Sequence, residues 1–568
     1  MKKFWEKHSL GKTLTIILVL SLLFTWLIPV GSFNGSEFVK GELVRLGLAD
    51  IGNMLYYVIA IAIDKILFLL VLGVFYGILT KVPAYQKLVS KIAKKMKGKE
   101  ILFASLVSFG LALFASFSSN VYATLVFVPF IINILSAMKV DKVSTVAVSF
   151  GSVLVGALGC MFGTEGLSAF NTYLANGTLT NFIADGWVTR MIVFIVSYGL
   201  FTFFNILHMK KALKDKKAES MEDPFAIVET KEKVSTWPLV IVMSLVALIT
   251  IIGFINWDDN FGIEIFVKFH DWLTGLTVKD NTIIAYILGT SAAALGTPNF
   301  TLFTLISVLL VFSLVLTYMG GFKFADTLDS IKDGTKKMGK VILPLFAAYT
   351  VFAIFYLSPM MNTFVSGLMK TDGHPNINID YKGSGIAYFN IDTNEDGKAD
   401  KNLVSTGSNC KVNCDTNNDG YPDKNLDFDG NGKVDENDEI IADTFDGESI
   451  LNLDTNGDGT PDINVDTSIS VPGTVLTGLV SSIFHTDFNY TAYSLSPYFI
   501  SGFASNLSLV FIILITMFGF SALFVPTSAL LIVALSYADL EYSKWLKYIW
   551  RFLACTFVFL MILYIILL

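Results

Sequence analysis

Apolar runs of about twenty residues, each long enough to cross a bilayer, alternate with short lysine-rich loops along most of this chain. Lysines mark the inner side of a membrane, so Lys2, Lys3 and Lys7 place the N-terminus inside and residues 14–30 run outward. That run lacks a small-residue cleavage pattern at Trp26-Leu27-Ile28-Pro29-Val30-Gly31 and is kept as a span. Residues 48–63 have apolar positions at helical spacing and are expected along the outer interface, ending at Asp64-Lys65, with the return crossing at 66–79. Residues 143–162 then go out and 188–207 come back. The loop Gly163 to Trp187 between them has no lysine. A charged linker follows, and residues 238–254, 300–318 and 341–369 repeat the alternation. Residues 474–503 are weakly apolar and are a candidate second hairpin entering from outside. The last runs are 507–537 and 550–568.

Residues 101–138 break this rhythm. The run is largely apolar but breaks in its middle at Ser116, Ser118, Ser119 and Asn120, and both flanks are basic, with seven lysines from Lys81 to Lys99 and then Lys139 and Lys142. Both ends therefore face inside, and the run predicts a re-entrant hairpin with a polar tip at membrane depth. Such backbone is tolerated only where it lines a protein cavity, as in the broken helices of secondary transporters. Residues 507–537 break in the same way at Val525-Pro526-Thr527-Ser528. The fold class expected is an all-α polytopic membrane protein, an inverted-repeat secondary transporter with re-entrant hairpins and broken helices. Helix breaks expose N–H groups that suit a carboxylate and carbonyls that suit a cation. The candidate substrate contacts are Ser118, Ser119, Asn120, Pro526, Thr527 and Ser528, with Glu165 beside a third candidate break marked by Gly151, Gly156, Gly159 and Gly163. Asp64 and Arg190 are further ionisable groups near membrane depth.

Composition agrees: 53% of the 568 residues are hydrophobic and 16% charged, too apolar for a soluble protein. The net charge of −7 comes from acids gathered between residues 372 and 466, so nucleic acid is not an expected partner. Within that segment, which parity places outside, the pattern D-x-[DN]-x-[DN]-G-x-x-D recurs four times. Its ligand positions are Asp392, Asn394, Asp396, Asp400; Asp415, Asn417, Asp419, Asp423; Asp427, Asp429, Asn431, Asp435; and Asp454, Asn456, Asp458, Asp462. Alternate oxygen ligands with glycine sixth make a calcium loop, and the third repeat adds a carboxylate at the twelfth position, Asp438. An acid-rich, core-poor stretch of this kind would take its folding energy from Ca2+. Cys410 and Cys414 lie here as a candidate pair or as free thiols, while Cys160 and Cys555 fall in apolar runs. The domain reading is 1–208 first transmembrane repeat, 209–236 cytoplasmic linker, 237–370 second-half helices, 371–471 extracellular calcium-repeat insertion, and 472–568 second hairpin and terminal helices.

Phe24-Thr25-Trp26-Leu27-Ile28-Pro29-Val30-Gly31-Ser32-Phe33, residues 113–129, Pro526-Thr527-Ser528 and the segment from Tyr542 to Trp550 resemble the YfcC-like branch of the anaerobic four-carbon dicarboxylate carrier family. That branch also includes arginine/ornithine antiporters. The resemblance covers nearly everything except the insertion, which itself resembles EF-hand, dockerin and thrombospondin-type-3 repeats. It implies the ion-transporter superfamily fold, with a homodimer left open. Ala529 follows the Pro-Thr-Ser where relatives often carry glycine, and the second hairpin tip is read either at Ser358-Pro359-Met360-Met361-Asn362-Thr363 or within 474–503. No P-loop is present and no nucleophile–base pairing is apparent, so an enzyme is not expected. The function expected is secondary transport of small carboxylate-bearing solutes, dicarboxylates or amino acids, across a bacterial cytoplasmic membrane, with Na+ or H+ as coupling ion and with the insertion and C-terminus outside. The competing reading is a calcium-dependent adhesion or sensing protein with a membrane anchor.

Overall fold

A computed structural model describes residues 9–34, 37–163, 186–215, 219–227, 234–277, 282–289, 292–369, 470–486, 488, 491 and 507–568, and the backbone of seven strands between residues 377 and 466. The first half comprises α1 (Ser9–Leu27), a hairpin of β1 (Gly31–Asn34) and β2 (Glu37–Lys40), α2 (Ile51–Leu79), α3 (Pro83–Met96), α4 (Glu100–Phe117), a 3-10 turn Val121–Val126, α5 (Val128–Ala137), α6 (Lys142–Gly159) and α7 (Trp187–Ala212). The second half has α8 (Trp237–Gly253) and three short helices, α9 (Trp257–Phe261), α10 (Ile265–Thr274) and α11 (Ile283–Leu288). It continues with α12 (Leu302–Met319), α13 (Phe324–Leu357), α14 (Met361–Met369), α15 (Val471–Phe484), α16 (Leu507–Ala522), α17 (Ala529–Ala538) and α18 (Tyr542–Leu567). Among the described residues, eight helices are long and apolar enough to cross a membrane.

Residues 48–63 are not an interfacial segment. They form the 3-10 turn Leu48–Asp50 and the first half of α2, which continues unbroken to Leu79. At 1.5 Å per residue α2 is about 43 Å long, more than the hydrocarbon thickness of a bilayer, with Asp64 and Lys65 at its middle. The helix tolerates them because the carboxylate and ammonium neutralise each other at 3.2 Å. Small residues let α2 meet α13 closely: a Cβ on Gly77 would lie 2.5 Å from the Ser330 carbonyl oxygen.

α6 is the most enclosed span, 89% buried. Gly151, Gly156 and Gly159 are closely packed within it, and the third break expected beside Glu165 falls at its end, where residues from 164 on lie outside the described residues. The chain passes through Gly151 within a π-helical turn, Ala147–Gly151, and through Gly156 within helix, ending only at Cys160 in the left-handed conformation. A Cβ on Gly159 would lie 2.5 Å from that of Phe194. The expected long helix over 341–369 is instead α13 and α14 with a break at Ser358-Pro359-Met360. From α14, the Asn362 amide donates to Gly31 O at 3.0 Å and the Thr363 hydroxyl to Pro29 O at 2.7 Å, tying α14 to the end of the first span.

In the insertion, β3 (Ile377–Tyr381), β4 (Ala387–Ile391), β5 (Lys401–Ser405), β6 (Cys410–Cys414) and β7 (Lys424–Asn425) form an antiparallel sheet in chain order, and β8 (Ile450–Leu453) pairs with β9 (Ile463–Asp466). Cys410 and Cys414 open and close one strand, four residues or about 13 Å apart at the usual rise. The candidate calcium ligands Asp392 to Asp462, including Asp438, and the candidate substrate residue Glu165 lie outside the described residues.

Candidate substrate site

α4 ends at Phe117 because the polar residues after it take other partners instead of continuing the helix, Ser118 and Asn120 bonding each other. The Ser118 hydroxyl donates to Asn120 O at 2.8 Å, and Asn120 Oδ1 accepts the Tyr122 N–H at 2.9 Å, capping the 3-10 turn. The last turn of α4 is also held from outside: Ser116 O accepts the Phe162 and Gly163 N–H groups at 3.0 and 2.9 Å. Ser119 donates its N–H to Phe254 O at 2.7 Å, joining the tip to the second half at the end of α8. The two arms of the hairpin leave on one face, where the linker meets both flanks. Lys87 Nζ bonds Val234 O at 2.7 Å before the hairpin, and Lys142 Nζ bonds Glu219 at 3.0 Å after it.

The second break lies between α16 and α17. The freed carbonyls at the end of α16 have dedicated donors: the Trp545 indole N–H reaches Leu523 O at 2.8 Å and the Tyr542 hydroxyl reaches Phe524 O at 2.5 Å. Thr527 donates its hydroxyl to Ile483 O at 2.6 Å, locking this break to the end of α15. α17 starts at Ala529 with Ser528 at its N-cap, so its first amides lack intrahelical acceptors.

A cavity of about 140 Å³ separates the two breaks, bordered by Ser118 from the first and Ser528, Ala529 and Leu530 from the second. Residues of α2, α6, α13 and α16, with Thr486 and Phe488 after α15, form most of the rest of its described walls, largely with apolar side chains. Ser118 and Ser528 are thus the sequence candidates that the fold brings to one space. Ser119, Asn120, Pro526 and Thr527 shape the breaks and do not border the cavity. Arg190, fully buried, is committed elsewhere: its Nε bonds Cys160 O at 3.1 Å and its Nη2 bonds Met161 O at 3.2 Å, satisfying the carbonyls where α6 stops.

Sequence reasoning missed Lys65. It borders the cavity from α2, is 8% exposed, and is the one Lys or Arg in the cavity wall among the described residues. The signal was present: a charged pair inside a 29-residue run that otherwise continues as apolar helix. Residues 219–227 of the linker are docked between the halves. Asp223 accepts the Asn133 amide of α5, the Phe225 N–H at 2.9 Å and the Tyr537 hydroxyl of α17 at 3.4 Å. Phe225 is buried against Tyr76 of α2 and Tyr537, with the Lys337 ammonium of α13 at 5.2 Å from its ring. Tyr76 in turn donates to Val126 O, at 2.6 Å, in the second arm of the hairpin. Glu219 bridges Lys142 at 3.0 Å and Lys544 at 2.7 Å, and the two ammonium groups hold its carboxyl below the usual range.

Residues 10–366 match the family described as DcuC: C4-dicarboxylate anaerobic carrier, which is more than half of the chain. No curated protein matches the sequence. Among solved structures, the crystal structure of the Alcanivorax borkumensis YdaH transporter is similar at 10% identity and a TM-score of 0.38, covering 99% of this chain and 98% of that one.

Proposed function

The chain belongs to the DcuC family of C4-dicarboxylate anaerobic carriers, and from that premise we propose that this membrane carrier moves small carboxylate-bearing solutes by alternating access at the cavity between the two helix breaks. The observation that carries this reading is the convergence of Ser118 and Ser528, from breaks more than 400 residues apart, on one cavity. Broken helices that meet at a cavity are how secondary transporters present N–H groups to an anion without exposing backbone to lipid. Dicarboxylates and amino acids are both within the proposed class, and the YfcC-like branch with its exchangers is the proposed subgroup. The linker face is the proposed cytoplasmic side, and Na+ or H+ the proposed coupling ion. Counterflow into proteoliposomes tests the reading. Exchange of one carboxylate class, abolished when Ala522→Leu fills the cavity wall, supports it. No exchange of any compound by folded wild-type protein overturns it and favours the calcium-dependent surface module.

A second proposal concerns the insertion. Three antiparallel pairs end at Ile391↔Lys401, Cys414↔Lys424 and Leu453↔Ile463, so each is closed by nine residues, and each of these connections is one acidic repeat. Equal closures around the repeated pattern support one Ca2+-binding device used three times, with the Asp427 to Asp438 repeat as a fourth. Terbium luminescence of the full chain, displaced by Ca2+ and reduced by Asp396→Asn with Asp419→Asn and Asp458→Asn, is the expected result. Unchanged luminescence in the triple variant would refute it.

A further inference from the structure

Lys65 and Asp64 occupy the centre of α2, where a charge is costly unless neutralised. The lysine side chain is 10% exposed and borders the cavity, and its ammonium lies 3.2 Å from the Asp64 carboxylate. The stretches 164–185 and 487–506, which join the described walls of the cavity, contain no Lys, Arg or His. Among the described residues, the other titratable groups on the wall are Tyr122, Tyr349 and Cys160, and the same two stretches hold the acids Glu165, Asp185 and Asp487. Among the described residues, a solute carboxylate therefore meets one cation, which is paired with an internal carboxylate.

We propose that Asp64 is the exchangeable counter-ion of Lys65. In the empty carrier it pairs with the lysine; when a solute carboxylate takes the lysine, Asp64 takes a monovalent cation that travels with the solute. The inference rests on the carrier reading above. Charge balances at each stage. The empty pair sums to zero, and for a solute of net charge −1 the loaded site sums to zero again because the solute carboxylate sits on Lys65 and the cation on Asp64; a dianion such as succinate balances only with a second cation or as its monoanion. Solute without the cation leaves a net buried negative charge, and cation without the solute a net positive one. Both half-loaded forms are penalised for the same reason that unpaired buried ions are, and this penalty couples the two fluxes.

The test uses full-length protein in proteoliposomes with radiolabelled succinate, acetate and arginine in turn, comparing exchange with net uptake under a proton gradient, a sodium gradient or neither. Asp64→Asn leaves the lysine uncompensated when the site is empty. Net uptake should then fall at least tenfold relative to exchange, and exchange should lose its dependence on whichever cation drives the wild type. The two gradient arms distinguish a proton from sodium as that cation. Lys65→Gln should raise the half-saturating solute concentration at least tenfold. The double variant, neutral when empty, should restore the ratio of net uptake to exchange, and it stands in if either single variant fails to fold. A ratio within twofold of wild type in Asp64→Asn, or a double variant without that restoration, overturns the inference. Absence of any exchange by wild-type protein overturns the carrier reading itself.

Discussion

Asp223 makes the docking of the linker pH-dependent, and the size of the effect follows from its surroundings. Burial pushes its carboxyl up to about 6, against the pull of the Phe225 N–H, the Asn133 amide, the Tyr537 hydroxyl and the Lys337 ammonium; Tyr76 and Tyr85 also face it. A carboxyl raised in the docked state holds its proton more tightly docked than free. Docking is therefore strongest when it is protonated, weakens as pH climbs from the free value of about 4, and levels off once pH passes about 6. Between about pH 5 and about pH 7.5 the undocked population should rise about tenfold, equivalent to about 1.4 kcal/mol, relative to a linker carrying Asn at this position. Met221, 8% exposed, reports the opening. In protein whose native cysteines are replaced by alanine, the rate at which Met221→Cys reacts with a maleimide follows the open fraction. Dividing by the rate of the same variant with Asp223→Asn removes the intrinsic pH dependence of the thiol. The quotient should climb about tenfold over that range, most of it below pH ~6.5. A quotient flat within twofold would refute the assignment of the pH response to Asp223.

Three further outcomes are expected. Arg190→Met strips the donors from the carbonyls that end α6 and should cost about 2–4 kcal/mol, read as a lowered thermal midpoint in detergent; Arg190→Lys, without the planar fork, should recover only part of it. Gly77→Leu places side-chain atoms against the Ser330 carbonyl and should cost more than ~2 kcal/mol by forcing α2 from α13, with solute exchange falling alongside the midpoint. Thr527→Val removes the hydroxyl bond to Ile483 O, costs about 1–3 kcal/mol, and should reduce exchange more than Ser528→Ala, because it frees the second break from the end of α15.

The hairpin tip and the Pro-Thr-Ser break were legible because each is a contradiction within the local sequence: an apolar run with lysines at both ends, or one interrupted by proline and hydroxyls. What was not legible depends on partners far along the chain. Asn120 is read from sequence as a ligand, and only the fold shows that its Oδ1 also caps the turn by accepting the Tyr122 N–H. The charged linker carries a flexible composition, yet Met221 and Phe225 are apolar positions inside it, and their receptors, Tyr76 and Tyr537, lie in opposite halves.

Lys65 was lost for a different reason. A residue-by-residue hydropathy scale charges Asp64 and Lys65 separately, and two full penalties end a span, so the first half of α2 reads as an interfacial segment. The pair is charged once, as a dipole, when the two groups lie 3.2 Å apart, and the helix then runs on through the bilayer centre. The same cancellation that hides the residues from the pattern is what lets them work there. A cation whose counter-charge is built into the adjacent residue is stable when the site is empty and available when a carboxylate arrives, whereas a lone lysine at that depth is neutralised by losing its proton. A charged pair in an apolar run without a turn residue between its halves is therefore better read as a site inside one helix than as the boundary of two.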